Sequence, residues 1–217
     1  MLKTVIFDLD GVITDTAEFH YLGWRRLAEE LSLPFDREIN EKLKGVSRRR
    51  SFEIVAGERL GDFTETQIAD FLARKNGYYL DFVSSTKLDL LPGIDSLLRE
   101  LSVEGIKMAV ASASRNTKTI LAGLTLPVEF DAVVDGNDVK ATKPDPNCFL
   151  LAAERTATAP ADCVVIEDAA AGIKGAKRAG MCAIGVGKEQ NLPGANVVVP
   201  STAGLTMSLL REICRTA

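Results

Sequence analysis

Residues 4–11 read Thr4-Val5-Ile6-Phe7-Asp8-Leu9-Asp10-Gly11, an unbroken β-branched and aromatic run that ends in two acids and a glycine. Such a run, apolar on both faces, predicts a buried parallel strand with polar residues at its carboxyl end. Comparable runs recur at 107–111 (KMAVA), 132–134, 163–166 (CVVI), 182–186 (CAIGV) and 197–199. They alternate with helical stretches, the pattern of a doubly wound parallel-sheet α/β fold, in which ligands sit at the carboxyl ends of the strands. From about residue 15 to 88 the strand signal stops. Amphipathic helical patterns take over at AEFHYLGWRRLAEEL, REINEKLKG, SRRRSFEIVAGERL and TETQIADFLARKNGYYLDFV. Leu91-Pro92-Gly93 marks the return to the sheet and a helix start, with hinges near 14–16 and near Leu88.

With 217 residues, 46% hydrophobic and 26% charged, the chain has the composition of an ordinary globular protein and is long enough for a core domain with an insertion. The start, MLKTVIFDLDG, has too short an apolar run for a signal peptide or a spanning helix, so a cytoplasmic protein is expected, without a membrane partner. A net charge of −4 with interspersed signs argues against a nucleic-acid partner, and Arg48-Arg49-Arg50 is too short a basic run to change that. Cys148, Cys163, Cys182 and Cys214 form no CxxC pair and are expected as buried free thiols.

Asp8 and Asp10 leave the first strand two positions apart, which puts both on one face if the chain stays extended, and Gly11 then permits a sharp turn. Paired carboxylates can divide their roles, because like charges push their titrations apart. An acidic strand-end turn is the plainer alternative. Glu167-Asp168 closes another strand in the same way; one of the pair could cap the helix that follows, but two acidic strand ends together supply the hard oxygens that Mg²⁺ requires. Ser112 and Ser114 follow the 107–111 strand where hydroxyls and free N–H groups can hold a phosphate or cap a helix. Lys143, before Pro144, either points a fixed charge at the same crevice or is solvated. Carboxylates, hydroxyl and lysine together suit phosphoryl transfer, in which an attacking carboxylate meets a phosphate dianion and cations offset the repulsion.

DLDGVITDT (8–16), VASAS (110–114), KPDP (143–146) and IEDAAAGIKGAKRAG (166–180) resemble the four motifs of the haloacid dehalogenase superfamily, in order and across most of the core. The resemblance implies a Rossmann-like core of residues 1–14 and 88–217, with residues 15–87 as an inserted helical cap domain. DGVITDTAEFH (10–20), LKGVSR (43–48), ARKN (73–76) and SASRN (112–116) further resemble the branch of that superfamily that interconverts β-glucose 1-phosphate and glucose 6-phosphate through β-glucose 1,6-bisphosphate. Carried over by position, it implies Asp8 as nucleophile and Asp10 as general acid/base. Mg²⁺ falls to Asp8, the Asp10 carbonyl, Asp168 and, directly or through its environment, Glu167. The transferring phosphoryl group falls to Ser112, Ala113 and Lys143, and the distal phosphate to Arg48, Ser114 and Asn116. The loop of Lys44, Gly45, Val46 and Ser47 is expected over the sugar, with Trp24, Ser51, Lys75 and Asn76 nearby. Arg115 stands where many relatives have lysine and keeps the charge. Arg49 and Arg50 are expected in solvent.

His20 is the single histidine and alone reads as a structural residue of its helix. The resemblance brings it to Asp10 when the cap closes, with Thr16 at the hinge. A monomer acting on small sugar phosphates is the expectation. The alternatives are a sugar-phosphate phosphatase with the same core, and a non-catalytic sugar-phosphate sensor, against which the intact Asp8, Asp10, Lys143 and Asp168 speak.

Overall fold

A computed structural model describes residues 1–215 of the chain. Its centre is a sheet of six parallel strands, β1 (Thr4–Phe7), β2 (Lys107–Ala111), β3 (Ala132–Val134), β4 (Cys163–Glu167), β5 (Cys182–Val186) and β6 (Val197–Val199), in the order β3-β2-β1-β4-β5-β6. All five pairings are parallel. The chain runs outward from β1 to one edge and then crosses back to β4, so β1 lies where the strand order reverses, and a crevice opens at its carboxyl end. Phe7 is level with Val110 and Ile166, which brings the residues that follow β1, β2 and β4 to one rim.

Every side chain of β1 is buried, and period two divides them between the faces. Val5 and Phe7 pack with Ile94, Leu97, Leu98 and Leu101 of α5 (Ile94–Val103) and with Leu210 and Ile213 of α9 (Met207–Arg215). Ile6 packs with Phe149 and Ala152 of α7 (Asn147–Arg155) and with Ile173 and Ala176 of α8 (Ala170–Arg178). Each such buried aliphatic or aromatic side chain contributes on the order of 1.5–3 kcal/mol, which is why a four-residue strand with no polar face can hold the centre of the sheet. All four cysteines are buried and free. Among the described residues no helix is long and apolar enough to cross a membrane.

The stretch expected to be helical holds α1 (Ala17–Glu30), α2 (Arg37–Glu41), α3 (Arg48–Ala56) and α4 (Glu65–Ser84). These bury a cluster of their own, Trp24, Leu27, Phe52, Val55, Ile68 and Phe71 among it, separate from the two clusters beside the sheet. Their starts are fixed by short polar side chains. Asp36 accepts from Ile39 N at 2.8 Å, Ser47 accepts from Arg50 N at 3.2 Å, and Thr64 with Gln67 forms a reciprocal capping box. The two strands of chain that tie this segment to the sheet run together: Leu91 N donates to Ile13 O at 2.9 Å and the Thr14 hydroxyl to Asp89 O at 2.8 Å. The expected helix over 37–45 is shorter than its pattern, because Gly45 adopts φ 71° against Ala169 and the chain must turn there.

Candidate active site

A cavity of about 670 Å³ lies between the carboxyl rim of the sheet and the helical segment. Asp8 and Asp10 reach it from the end of β1. Gly11 turns the chain directly after them at φ 78°, and a Cβ there would lie 2.6 Å from Asp168 Oδ2. Only glycine lets the two acidic strand ends come this close.

Lys143 is fully buried and donates to Asp8 Oδ1 and Glu167 Oε1 at once. Burial opposes its charge, but the two carboxylates outweigh that and hold its pKa above the usual lysine value. The crevice-facing reading of Lys143 therefore stands over the solvated one. Glu167 is the last residue of β4, one position beyond the strand expected there, and its Oε2 accepts from Ala169 N at 2.9 Å. Both oxygens are engaged, so Glu167 holds Lys143 in place rather than pointing freely into the cavity. Neither acid caps α8, whose N-cap residue is Ala169 without a side-chain bond. Gly172 in α8 makes room for this arrangement, since a Cβ there would lie 1.9 Å from Glu167 Cδ. Gly172→Ala is expected to push Glu167 away from Lys143 and to destabilise the protein by about 1–3 kcal/mol, read from the urea midpoint.

Asp8, Glu167 and Asp168 each offer a carboxylate oxygen within 4.8 Å of the others. Burial, then the charges of Glu167 and Asp8, push Asp168 well above the usual carboxylate range, with Lys44 Nζ 3.8 Å from its Oδ2. Crowded hard oxygens of one sign fit a divalent cation such as Mg²⁺.

Asp10 points elsewhere. Its Oδ1 accepts from the Thr16 hydroxyl, and its Oδ2 lies 3.8 Å from His20 Nε2. Although a quarter of its side chain meets the cavity, desolvation and then the charge of Asp8 push its pKa up to about 7, against the pull of Thr16, Lys75 and Lys143. Asp10 is thus poised to hold or release a proton near neutrality. His20 Nδ1 lies 2.7 Å from Lys75 Nζ, and Lys75 is buried over the rings of Trp24 and Tyr79. Burial, then the charges of Lys75 and Arg48, hold His20 well below its usual pKa, so the imidazole is neutral. Burial, then Arg48, lowers Lys75 as well.

Ser112 and Ser114 do not cap α6 (Thr117–Ala122). Ser112 Oγ accepts from Ser114 N at 3.1 Å and Ser114 Oγ from Asn116 N at 3.2 Å, tying the loop into two successive turns that present Ala113 to the cavity. Arg48, at the start of α3, donates to Asn76 Oδ1 at 2.6 Å, and Asn116 Nδ2 donates to the same oxygen at 2.8 Å. Asn76 and Asn116 therefore brace Arg48 across the gap between the helices and the rim. Arg48 is mostly buried and its pKa is lowered, first by burial and then by the like charge of Arg115. Among the described residues neither arginine side chain has a carboxylate in salt-bridge range, although both line the cavity. Arg49 and Arg50 reach solvent as expected, and there they form surface ion pairs with Glu53, and Arg49 also with Glu65.

Lys44, Gly45, Val46, Ser47, Ser51, Trp24 and Lys75 all line the same cavity. Ser47 also caps α3, and Trp24 belongs to the helices' own core. Sequence reasoning passed over Lys140 and Thr142 at the wall and Tyr79 behind it. For Tyr79 one signal existed: it follows Lys75 by four residues on a single helix and so shares its face.

The chain belongs to the haloacid dehalogenase-like hydrolase family, whose model matches residues 5–186. Within it the chain is 48% identical over 214 residues to the β-phosphoglucomutase of Bacillus subtilis strain 168, covering 97% of this chain and 95% of the relative. It is also 32% identical over 182 residues to the fructose-1-phosphate phosphatase YqaB of Escherichia coli K12, covering 84% and 95%. The crystal structure of β-phosphoglucomutase from Clostridium difficile superposes with a TM-score of 0.94 at 38% identity, over 100% of this chain and 98% of that one.

Proposed function

We propose that the chain is a β-phosphoglucomutase, an isomerase that interconverts β-D-glucose 1-phosphate and glucose 6-phosphate through a phospho-Asp8 enzyme and β-glucose 1,6-bisphosphate. The observation that carries this reading is that one cavity joins two sets of side chains whose chemistry suits a phosphate. Asp8, Ser112 and Asp168 line it from the sheet rim, and Arg48 with Arg115 adds two cations that pair with no carboxylate among the described residues. A bisphosphate needs both sets, and close similarity to mutases along nearly the whole chain supports the same assignment.

In the first half-reaction the C6 hydroxyl oxygen of β-glucose 1-phosphate attacks the phosphorus of phospho-Asp8. The new O–P bond forms as the acyl phosphate bond breaks, and the hydroxyl proton passes to Asp10. The bisphosphate then binds the other way round. Asp8 attacks the C1 phosphate, Asp10 returns its proton to the departing C1 oxygen, and glucose 6-phosphate leaves with phospho-Asp8 restored. Lys143 holds the attacking carboxylate in line and offsets charge on the transferring group, while Ser112 and the Ala113 backbone position it. Asp8, the Asp10 carbonyl and Asp168, with Glu167 beside them, would hold Mg²⁺, which would supply neutralising charge to the phosphoryl group. Arg48 grips the distal phosphate with Ser114 and Asn116. Residues 15–87 act as a cap over the core of 1–14 and 88–217, and the loop 44–47 closes over the sugar to keep water from phospho-Asp8. A monomer in the cytoplasm completes the reading.

The test follows glucose 6-phosphate and free phosphate together, from β-glucose 1-phosphate with Mg²⁺ and a trace of β-glucose 1,6-bisphosphate. Glucose 6-phosphate with little free phosphate is expected. Arg48→Ala is expected to lower that flux by about 10²-fold, the loss of a bidentate charged grip, while leaving hydrolysis of a small aryl phosphate nearly unchanged. Free phosphate as the main product, with no effect of Arg48→Ala, would assign a phosphatase instead.

A further inference from the structure

Tyr79 lies in α4, yet among the described residues of the helical segment it is the one fully buried side chain that joins the cluster beside the sheet rather than the helices' own. Its hydroxyl donates to Thr16 Oγ1 at 3.2 Å. Thr16, whose single proton goes to Asp10 Oδ1, can only accept from Tyr79, so the chain Tyr79 to Thr16 to Asp10 runs in one direction. The ring of the same tyrosine stacks on His20 with centroids 4.0 Å apart and planes 20° apart. His20 is the other group beside Asp10, at 3.8 Å. Lys75 Nζ lies 2.7 Å from His20 Nδ1, on the opposite side of the ring from Asp10. One side chain of the helical segment thus touches both neighbours of the acid/base carboxylate.

We infer that Tyr79 is a positioning residue: its hydroxyl turns the Thr16 proton toward Asp10 and its ring sets the plane of His20, so that Asp10 is aligned only when α4 is seated against the core. This deepens the mutase reading and rests on it. The physical reason for a rigid aromatic here is that a hydroxyl rotor and an imidazole each have free torsions, and a general acid/base loses its effect when its hydrogen bonds are misdirected. Burial of Tyr79 on the sheet side also makes its position report whether the helices are docked.

Tyr79→Phe keeps the ring, its packing and the stack on His20 and removes the hydroxyl alone. The expected result is a fall of about 10–10²-fold in kcat for glucose 6-phosphate formation, a fraction of a full acid/base contribution, with KM for β-glucose 1-phosphate unchanged. Because the hydroxyl acts through Thr16, the double variant Tyr79→Phe with Thr16→Val should be no slower than Thr16→Val alone, a non-additivity that simple loosening of the fold would not produce. Wild-type kcat in Tyr79→Phe, or additive losses in the double variant, overturns the inference while the mutase reading stands. If the wild-type enzyme releases only free phosphate, the mutase reading fails, and the same kcat comparison is made on phosphate release, which also needs Asp10 to protonate a leaving oxygen.

Discussion

Asp8→Asn is expected to abolish turnover of every phosphate ester, by about 10⁴-fold or more, the scale on which removal of a nucleophile acts, and to leave the fold intact. The amide keeps the shape of the carboxylate but has no anionic oxygen to attack phosphorus. Two opposing effects on stability accompany it. Lys143 loses one of its two carboxylate partners, while Asp10 and Asp168, both pushed up by the charge of Asp8, are relieved of a repulsive neighbour. The urea midpoint should therefore move little even though activity disappears. Turnover of β-glucose 1-phosphate and of a small aryl phosphate, measured beside the midpoint, checks both halves.

Lys143→Met is expected to damage the protein in both respects. The ammonium is fully buried between Asp8 and Glu167, and Glu167 is fully buried too. Removing the cation leaves a carboxylate in a dry site with one oxygen lacking a donor, a change that typically costs about 3–5 kcal/mol. Activity should fall by about 10²–10³-fold, as when one preorganised donor to a developing charge is lost. Adding Glu167→Gln removes the orphaned charge, so the double variant should recover much of the lost stability and none of the activity. A single variant within 1 kcal/mol of wild type, an amount about equal to an exposed ion pair, would show that the buried pairing in Lys143 does not matter to the fold.

The strands were legible because each is a short run of Val, Ile, Ala or Phe with no polar face, and only a sheet covered on both sides buries such runs. A parallel sheet then lines up its carboxyl ends, so Asp8, Ser112 and Asp168 could be gathered before any coordinates were known. What the sequence could not convey is how those groups pair. Lys143 lies 135 residues from Asp8 and 24 from Glu167, and nothing local marks that it serves both. Ser112 and Ser114 read equally as caps or phosphate ligands; they do not cap α6, and their hydroxyls tie the loop into turns at the cavity wall. Arg49 and Arg50 read as solvated and do reach solvent, but the pairing of Arg49 with Glu65 arises only once α3 and α4 are formed. Tyr79 carries an apolar-face signature like its neighbours, and its hydroxyl becomes informative only when α4 meets a hinge 63 residues earlier.

The central claim is that a phosphoryl group rests on Asp8 and is handed to sugar rather than to water. Mixing the enzyme with Mg²⁺ and β-glucose 1,6-bisphosphate, quenching in acid and mapping the peptides by mass should place one phosphoryl group on Asp8. A chase with β-glucose 1-phosphate should then return it as bisphosphate and glucose 6-phosphate. No phosphoryl group on Asp8, or a chase that yields only free phosphate, would contradict the account.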